Sequence, residues 1–195
     1  MNSGDERNPA AAAGNFQHAG ALLRHIRLEW LLRHFSPRWV WAAYVFVNGF
    51  VTIALLALLA LATSSPFVFP SLGPTAYLFF FSPLAEASSP RNTILGHALG
   101  LLCGYAAFAL VTFFGSAAAM DTGVHGPGVL AAALSLSATG ALMVLFRVSH
   151  PPAGATTLIV SLGIISRPKD LFIIEAAVFL LTAQAFAINR LAGLP

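Results

Sequence analysis

Ser149-His150-Pro151-Pro152-Ala153-Gly154-Ala155-Thr156-Thr157-Leu158-Ile159 sets a histidine, two prolines and then small and hydroxyl residues between two strongly apolar runs. Proline lacks the amide donor and biases the residue before it toward extended backbone, so an uninterrupted helix does not fit here. From Ala153 to Ser166 the pattern reads as helix again, with Pro152 just before its first turn. The chain is therefore expected to enter extended and become a short helix. Inside a bilayer such a break is tolerated only where protein covers it or a cavity lies beside it.

The same device stands earlier, at Pro70-Ser71-Leu72-Gly73-Pro74-Thr75-Ala76-Tyr77-Leu78. Pro70, Gly73 and Thr75 match Pro151, Gly154 and Thr156 at a constant offset of 81 residues, and Pro90-Arg91-Asn92 is echoed by Pro168-Lys169-Asp170 at an offset of 78. Order is kept and spacing nearly so, which reads as an internal repeat.

Three blocks carry a family resemblance: Pro70-Ser71-Leu72-Gly73-Pro74-Thr75, Ser89-Pro90-Arg91-Asn92-Thr93-Ile94-Leu95-Gly96-His97, and His150-Pro151-Pro152-Ala153-Gly154-Ala155-Thr156. In this order, over about residues 30 to 190, the chain resembles the HPP family of integral membrane proteins. The resemblance implies a small polytopic membrane protein, often described with four spans. Plant and cyanobacterial relatives are associated with nitrite transport, which makes nitrite the substrate the resemblance implies. Some relatives carry appended CBS modules, and none is expected within this chain.

Composition agrees with a membrane solvent: 57% of the 195 residues are hydrophobic and 9% charged. After Trp39 the charged side chains are Glu86, Arg91, Asp121, Arg147, Arg167, Lys169, Asp170, Glu175 and Arg190, mostly near the ends of apolar runs. They read as topology signals rather than as a nucleic-acid footprint. Cys103 is the only cysteine, so it forms no intrachain disulfide and reads as a buried thiol. No zinc, nucleophile-elbow or phosphate-loop motif is present, so no enzymatic activity, metal or cofactor is expected.

Residues 1–15 read as a mobile tail and 16–38 as an amphipathic helix on the membrane surface, with Leu22, Leu23, Ile26, Trp30 and Leu31 opposite Arg24, Arg27 and Arg33. The first apolar run starts too late and runs too long for a secretory signal. Residues 39–191 form one transmembrane domain of six segments: about 39–62, 67–84, 92–114, 128–146, 150–166 and 171–189. Extended residues 149–152 followed by a helix to 166 reach about 34 Å, enough to cross. Six crossings put the basic N-terminal region, Arg91, Arg147 and Arg190 on the cytoplasmic side, with Arg167 and Lys169 opposite. The fold class is thus all-α, in two inverted three-segment repeats (about 39–115 and 127–191), within a bacterial cell membrane. Gly96, Gly100 and Gly104 share one helix face, which packs either within the chain or between protomers of a homo-oligomer.

A half-helix that starts inside the membrane offers amide donors and a positive dipole end. Two such starts, with Ser71, Gly73, Pro74 and Thr75 in one and Pro151, Pro152, Gly154, Thr156 and Thr157 in the other, suit a small monovalent anion. The bland alternative is that these hydroxyls only satisfy carbonyls in bent helices. His97 and Glu175 correspond under the 78-residue offset, which suggests equivalent depth and a proton site, or else a structural hydrogen-bonded pair or two unrelated side chains near helix ends. His150 reads as a gate or anion-recognition group, or as an interfacial cap; Asn48, Gln184 and Asn189 read as interhelical glue. Transport of a small anion, possible proton coupling, a passive channel and a non-transporting scaffold or sensor all stay open at this point.

Overall fold

A computed structural model describes residues 27–114 and 126–194. The expected tail 1–15, residues 16–26 of the surface helix and the loop 115–125 lie outside the described residues. Every regular element described is helical: α1 Leu28–His34, α2 Pro37–Thr63, α3 Leu72–Phe81, a 3-10 turn Glu86–Ser88, α4 Pro90–Phe113, α5 Gly126–Leu145, α6 Ala153–Ser161 and α7 Pro168–Leu191. Four of these, α2, α4, α5 and α7, are long and apolar enough to cross a membrane, and α3 is a shorter apolar helix.

Proline and capping residues set the starts. Pro37, Pro90 and Pro168 occupy the first turn of α2, α4 and α7, where the missing amide costs nothing. Ser89 caps α4 by accepting the Asn92 amide at 3.3 Å. The ends are set by left-handed residues. Gly163 at φ 76° stops α6 and Gly193 at φ 90° follows α7, each with the Schellman pair of reversed amide bonds. This corrects the expected helix from Ala153 to Ser166: it stops at Ser161, because Gly163 turns the chain and the Ile164 amide bonds back to Ile159 O at 3.1 Å.

Side-chain contacts fix the relative directions. Tyr44 Oη donates to Asn189 Oδ1 at 2.5 Å and Gln184 Nε2 to Thr52 Oγ1 at 3.3 Å, so α2 and α7 run antiparallel. Tyr44 also packs edge-on against Phe80, so α3 runs back along α2 toward its start. Pro90, Phe186 and Asn189 line one cleft, which makes α4 antiparallel to α7. Gly96 meets His150 while Gly104 meets Val160, so α6 runs parallel to α4.

The largest core lies where α3 and α7 meet, with Leu72, Ala76, Phe79, Phe80, Ile174, Val178 and Leu181. Outward faces carry large apolar side chains such as Phe46, Leu61, Phe113, Val144 and Phe172. In water such a belt would be unstable; facing lipid it needs no cover. Alone of the long helices, α4 has nearly half of its spanning window buried (44%). It is the central post.

Asn189 is interhelical glue as expected, since Nδ2 also donates to Phe79 O at 2.9 Å. Asn48 is not, because its amide turns back to Tyr44 O at 2.9 Å within α2. The α1 helix docks on the end of α7 through the Leu28 amide and Ala192 O at 3.0 Å.

Candidate functional site

The glycine face of α4 decides where the second break sits. A Cβ on Gly96 would lie 2.7 Å from His150 Cβ; one on Gly100, 2.8 Å from Ala153 O; one on Gly104, 2.7 Å from Thr157 O. Real side chains do not approach so closely, so the three glycines let α6 and the residues before it lie directly on α4. The stripe is used within the chain.

That contact delivers the first hydroxyls and imidazoles to one place. From α3 come Ser71 and Thr75, from α4 Thr93 and His97, and from the second break His150 and Thr156; all six are fully buried. Ser71 Oγ lies 2.6 Å from Thr156 Oγ1. His97 bridges the half-helices, with Nε2 3.0 Å from Thr75 Oγ1 and Nδ1 2.8 Å from Thr156 Oγ1. His150 Nε2 lies 3.3 Å from the same Thr75 Oγ1, and its Nδ1 donates to Ala87 O at 2.7 Å. The two imidazole centroids are 4.9 Å apart. Thr157 points to the other side, toward Thr139 of α5 at 3.0 Å.

Several expected site residues take other places. Gly73 and Pro74 lie on the exposed face of α3, opposite the buried Leu72, Thr75, Ala76, Phe79 and Phe80. A Cβ on Gly73 would meet nothing within 4 Å, so the close-approach argument for this glycine is corrected. Pro151 is exposed, Pro152 buried, and Gly154 faces Leu136 of α5 at 3.2 Å for an added Cβ. The amides at the half-helix starts are also engaged: Gly154 N bonds Pro151 O at 3.0 Å, Ala155 N bonds Pro152 O at 3.1 Å and Thr75 N bonds Ser71 O at 3.3 Å. The groups that meet at the centre are side chains, hydroxyl and imidazole, rather than free amides.

Glu175 is not a partner of His97. Both of its carboxylate oxygens are buried without a hydrogen bond, as is Thr182 Oγ1. Because α4 and α7 are antiparallel, residues an equal distance into each helix lie in opposite halves, roughly 13 Å apart in depth at ~1.5 Å per residue.

Sequence reasoning missed two further groups. Arg91, read as a topology signal, donates to Arg147 O at 3.2 Å and Phe146 O at 3.3 Å, tying off the C-terminus of α5. The Ala87 carbonyl in the 3-10 turn receives His150; nothing in the local sequence marks it.

Buried half-helices meeting between long lipid-facing helices define a polytopic membrane protein. The comparisons agree: residues 34–194 match the HPP transmembrane region, and the chain belongs to the HPP family. A transmembrane protein of Dictyostelium discoideum is 28% identical over 155 residues, covering 74% of this chain and 49% of the relative. The chain thus spans about half the length of that curated relative. No solved structure matches.

Proposed function

We propose that this HPP-family membrane protein transports a small monovalent anion, nitrite, through the contact between its two half-helix starts. The observation that carries the reading is the Ser71–Thr156 contact at 2.6 Å, buried against His97. Hydroxyls and imidazole N–H groups offer hydrogen bonds to anion oxygens without a fixed cation, and a fixed cation would hold the anion too tightly for release. Entry requires the two half-helices to part, so that Ser71 and Thr156 exchange their mutual bond for bonds to the anion.

We further infer six crossings in two inverted repeats, α2–α3–α4 and α5–α6–α7. The contacts support a twofold relation: α4 packs on α6 and α7 on α3, α4 on α5 and α7 on α2, α5 on α6 and α2 on α3, with α4 and α7 meeting each other. The faces correspond too. Gly96, Gly100 and Gly104 at the 78-residue offset become Ile174, Val178 and Thr182, all buried. Glycines seat α6 directly on α4, whereas bulky buried side chains fill the space between α3 and α7.

Flux of labelled nitrite into proteoliposomes containing only this protein tests the function. Uptake above empty vesicles, lost in Thr156→Val, supports it, and no uptake under any gradient rejects it. A second reading has its own observation: every polar atom of the Ser71, Thr75, His97 and Thr156 side chains has a partner within the chain. Such saturation favours a scaffold role, which predicts no flux.

A further inference from the structure

The hydrogen bonds of the buried cluster have a direction. A carbonyl only accepts, so the 2.7 Å contact with Ala87 O requires a proton on His150 Nδ1. Thr93 agrees: its own proton goes to Ser89 O at 3.0 Å, so toward His150 Nδ1 at 3.4 Å it only accepts. A neutral His150 then has a bare Nε2, and the hydroxyl facing it is Thr75 Oγ1. Thr75 has one proton, shared between Nε2 of His150 and Ser71 O at 2.9 Å. Toward His97 it has only lone pairs, so His97 Nε2 carries the proton and His97 Nδ1 is bare. Thr156 donates to that Nδ1, and Ser71 donates to Thr156. With both rings neutral, the Ala87 and Ser71 carbonyls together orient the donors from Ser71 to Ala87. Reversing the line requires one added proton and the release of Thr75 from Ser71 O.

We propose that His97, Thr75 and His150 form a proton relay between the Ser71–Thr156 contact and the end of the molecule where Arg91 and Arg147 sit. A proton delivered to His97 Nδ1, for instance from the O–H of a neutral weak acid, leaves the conjugate anion on Thr156 and Ser71. His97 then passes its Nε2 proton to Thr75 Oγ1, and Thr75 passes its original hydroxyl proton to His150 Nε2. The step ends with neutral His97 protonated on Nδ1, Thr75 donating to His97, and a His150 imidazolium held by Ala87 O. One proton has moved from the site to His150, beside the turn before α4, and the one bond given up is that from Thr75 to Ser71 O.

The charged and titratable groups around the relay leave it room to work. On α4, Arg91 is engaged with the Phe146 and Arg147 carbonyls. In the 3-10 turn, Glu86 Oε1 accepts from Asn92 at 3.4 Å. Before α6, Arg147 offers its carbonyl to Arg91. On α7, Lys169 and Asp170 lie in the first turn, Arg190 in the last, and between them Glu175, whose carboxylate has no hydrogen-bond partner. Neither α3 nor α5 carries a charged side chain or histidine. The relay deepens the anion reading by assigning the proton that would accompany the anion, yet it can be tested without any anion.

Two measurements decide it. Nitrogen NMR of 15N-histidine protein in lipid, with the two rings assigned by signal loss in His97→Gln and His150→Gln, should find opposite tautomers: His97 with Nε2–H and His150 with Nδ1–H. Proteoliposomes loaded with a pH dye and given a potassium–valinomycin potential should take up protons, with nitrite present or absent. Thr75→Val should slow this at least tenfold and Thr75→Ser should restore it. Identical tautomers overturn the relay whatever the flux of the Thr75 variants. So does proton flux in Thr75→Val at the wild-type rate, or none in wild type under either condition. Proton flux without nitrite flux rejects the anion reading and supports the relay.

Discussion

Ser71 and Thr156 are 85 residues apart in the chain, and their hydroxyl oxygens are 2.6 Å apart in the fold. Each begins or closely follows the start of a half-helix, so this contact measures how the two breaks are held together. Ser71→Ala leaves Thr156 without its donor, and Thr156→Val leaves both Ser71 and His97 Nδ1 unpartnered. Removing one side of a buried bond costs about 1–3 kcal/mol, more than the net value of the bond itself. Thermal unfolding in detergent should show Thr156→Val as the worse of the two. The double variant should be clearly less destabilised than the sum of the singles. Additive losses would mean the two hydroxyls do not interact.

Glycine substitutions should divide by position. Gly100→Val and Gly104→Val drive side-chain atoms into the backbone carbonyls of Ala153 and Thr157, which cannot give way. Overpacking of this kind costs typically 1–3 kcal/mol and more where backbone must shift. Gly73→Val enters open space on the lipid-facing side of α3 and should leave a folded, monodisperse protein. Size exclusion in mild detergent reads the difference. A Gly73→Val protein as damaged as Gly100→Val would place α3 wrongly.

The sequence made much of this legible. Proline and glycine placed both breaks within a few residues, because their backbone limits are local and need no knowledge of partners. Spacing of four put Gly96, Gly100 and Gly104 on one face, but spacing alone does not name the helix opposite; only the fold shows it to be α6. The orientation of Gly73 was readable and was missed, since Leu72, Thr75, Ala76, Phe79 and Phe80 form one helical face that excludes it. The His97–Glu175 pairing failed for a deeper reason. In an inverted arrangement equivalent positions lie at mirrored depths, so correspondence in sequence separates residues instead of pairing them. The imidazole that does lie beside His97, that of His150 with its centroid 4.9 Å away, is beyond any local pattern.

Arg147 holds a left-handed conformation at φ 52° just after α5, where a Schellman turn brings the Val148 amide to Met143 O at 2.8 Å. Any residue with a Cβ is strained there, by roughly 1 kcal/mol, and glycine is not. The bond from Arg91 uses the backbone carbonyl of Arg147, which glycine retains. Arg147→Gly should therefore raise the unfolding temperature by a few degrees. A fall would mean that the side chain contributes more than the strain costs.

The six crossings we infer depend on the two short helices. α3 has 10 residues, about 15 Å of helix, and residues 65–71 before it supply up to ~3.3 Å each, enough to reach across a core of ~30 Å. Phe80 then lies beside Tyr44, near the start of α2, while the chain left α2 at its far end. A re-entrant hairpin would return it to the far end. Single cysteines at Thr63, Leu84, Phe146 and Lys169, in a Cys103→Ala background, separate the two topologies, since all four positions are exposed. With six crossings, Thr63→Cys and Lys169→Cys react with a membrane-impermeant maleimide from one side only, and Leu84→Cys and Phe146→Cys from the other. With four, Thr63→Cys matches Leu84→Cys and Phe146→Cys matches Lys169→Cys. That pairing would remove the inverted repeat, and with it the symmetry that sets α3 against α6.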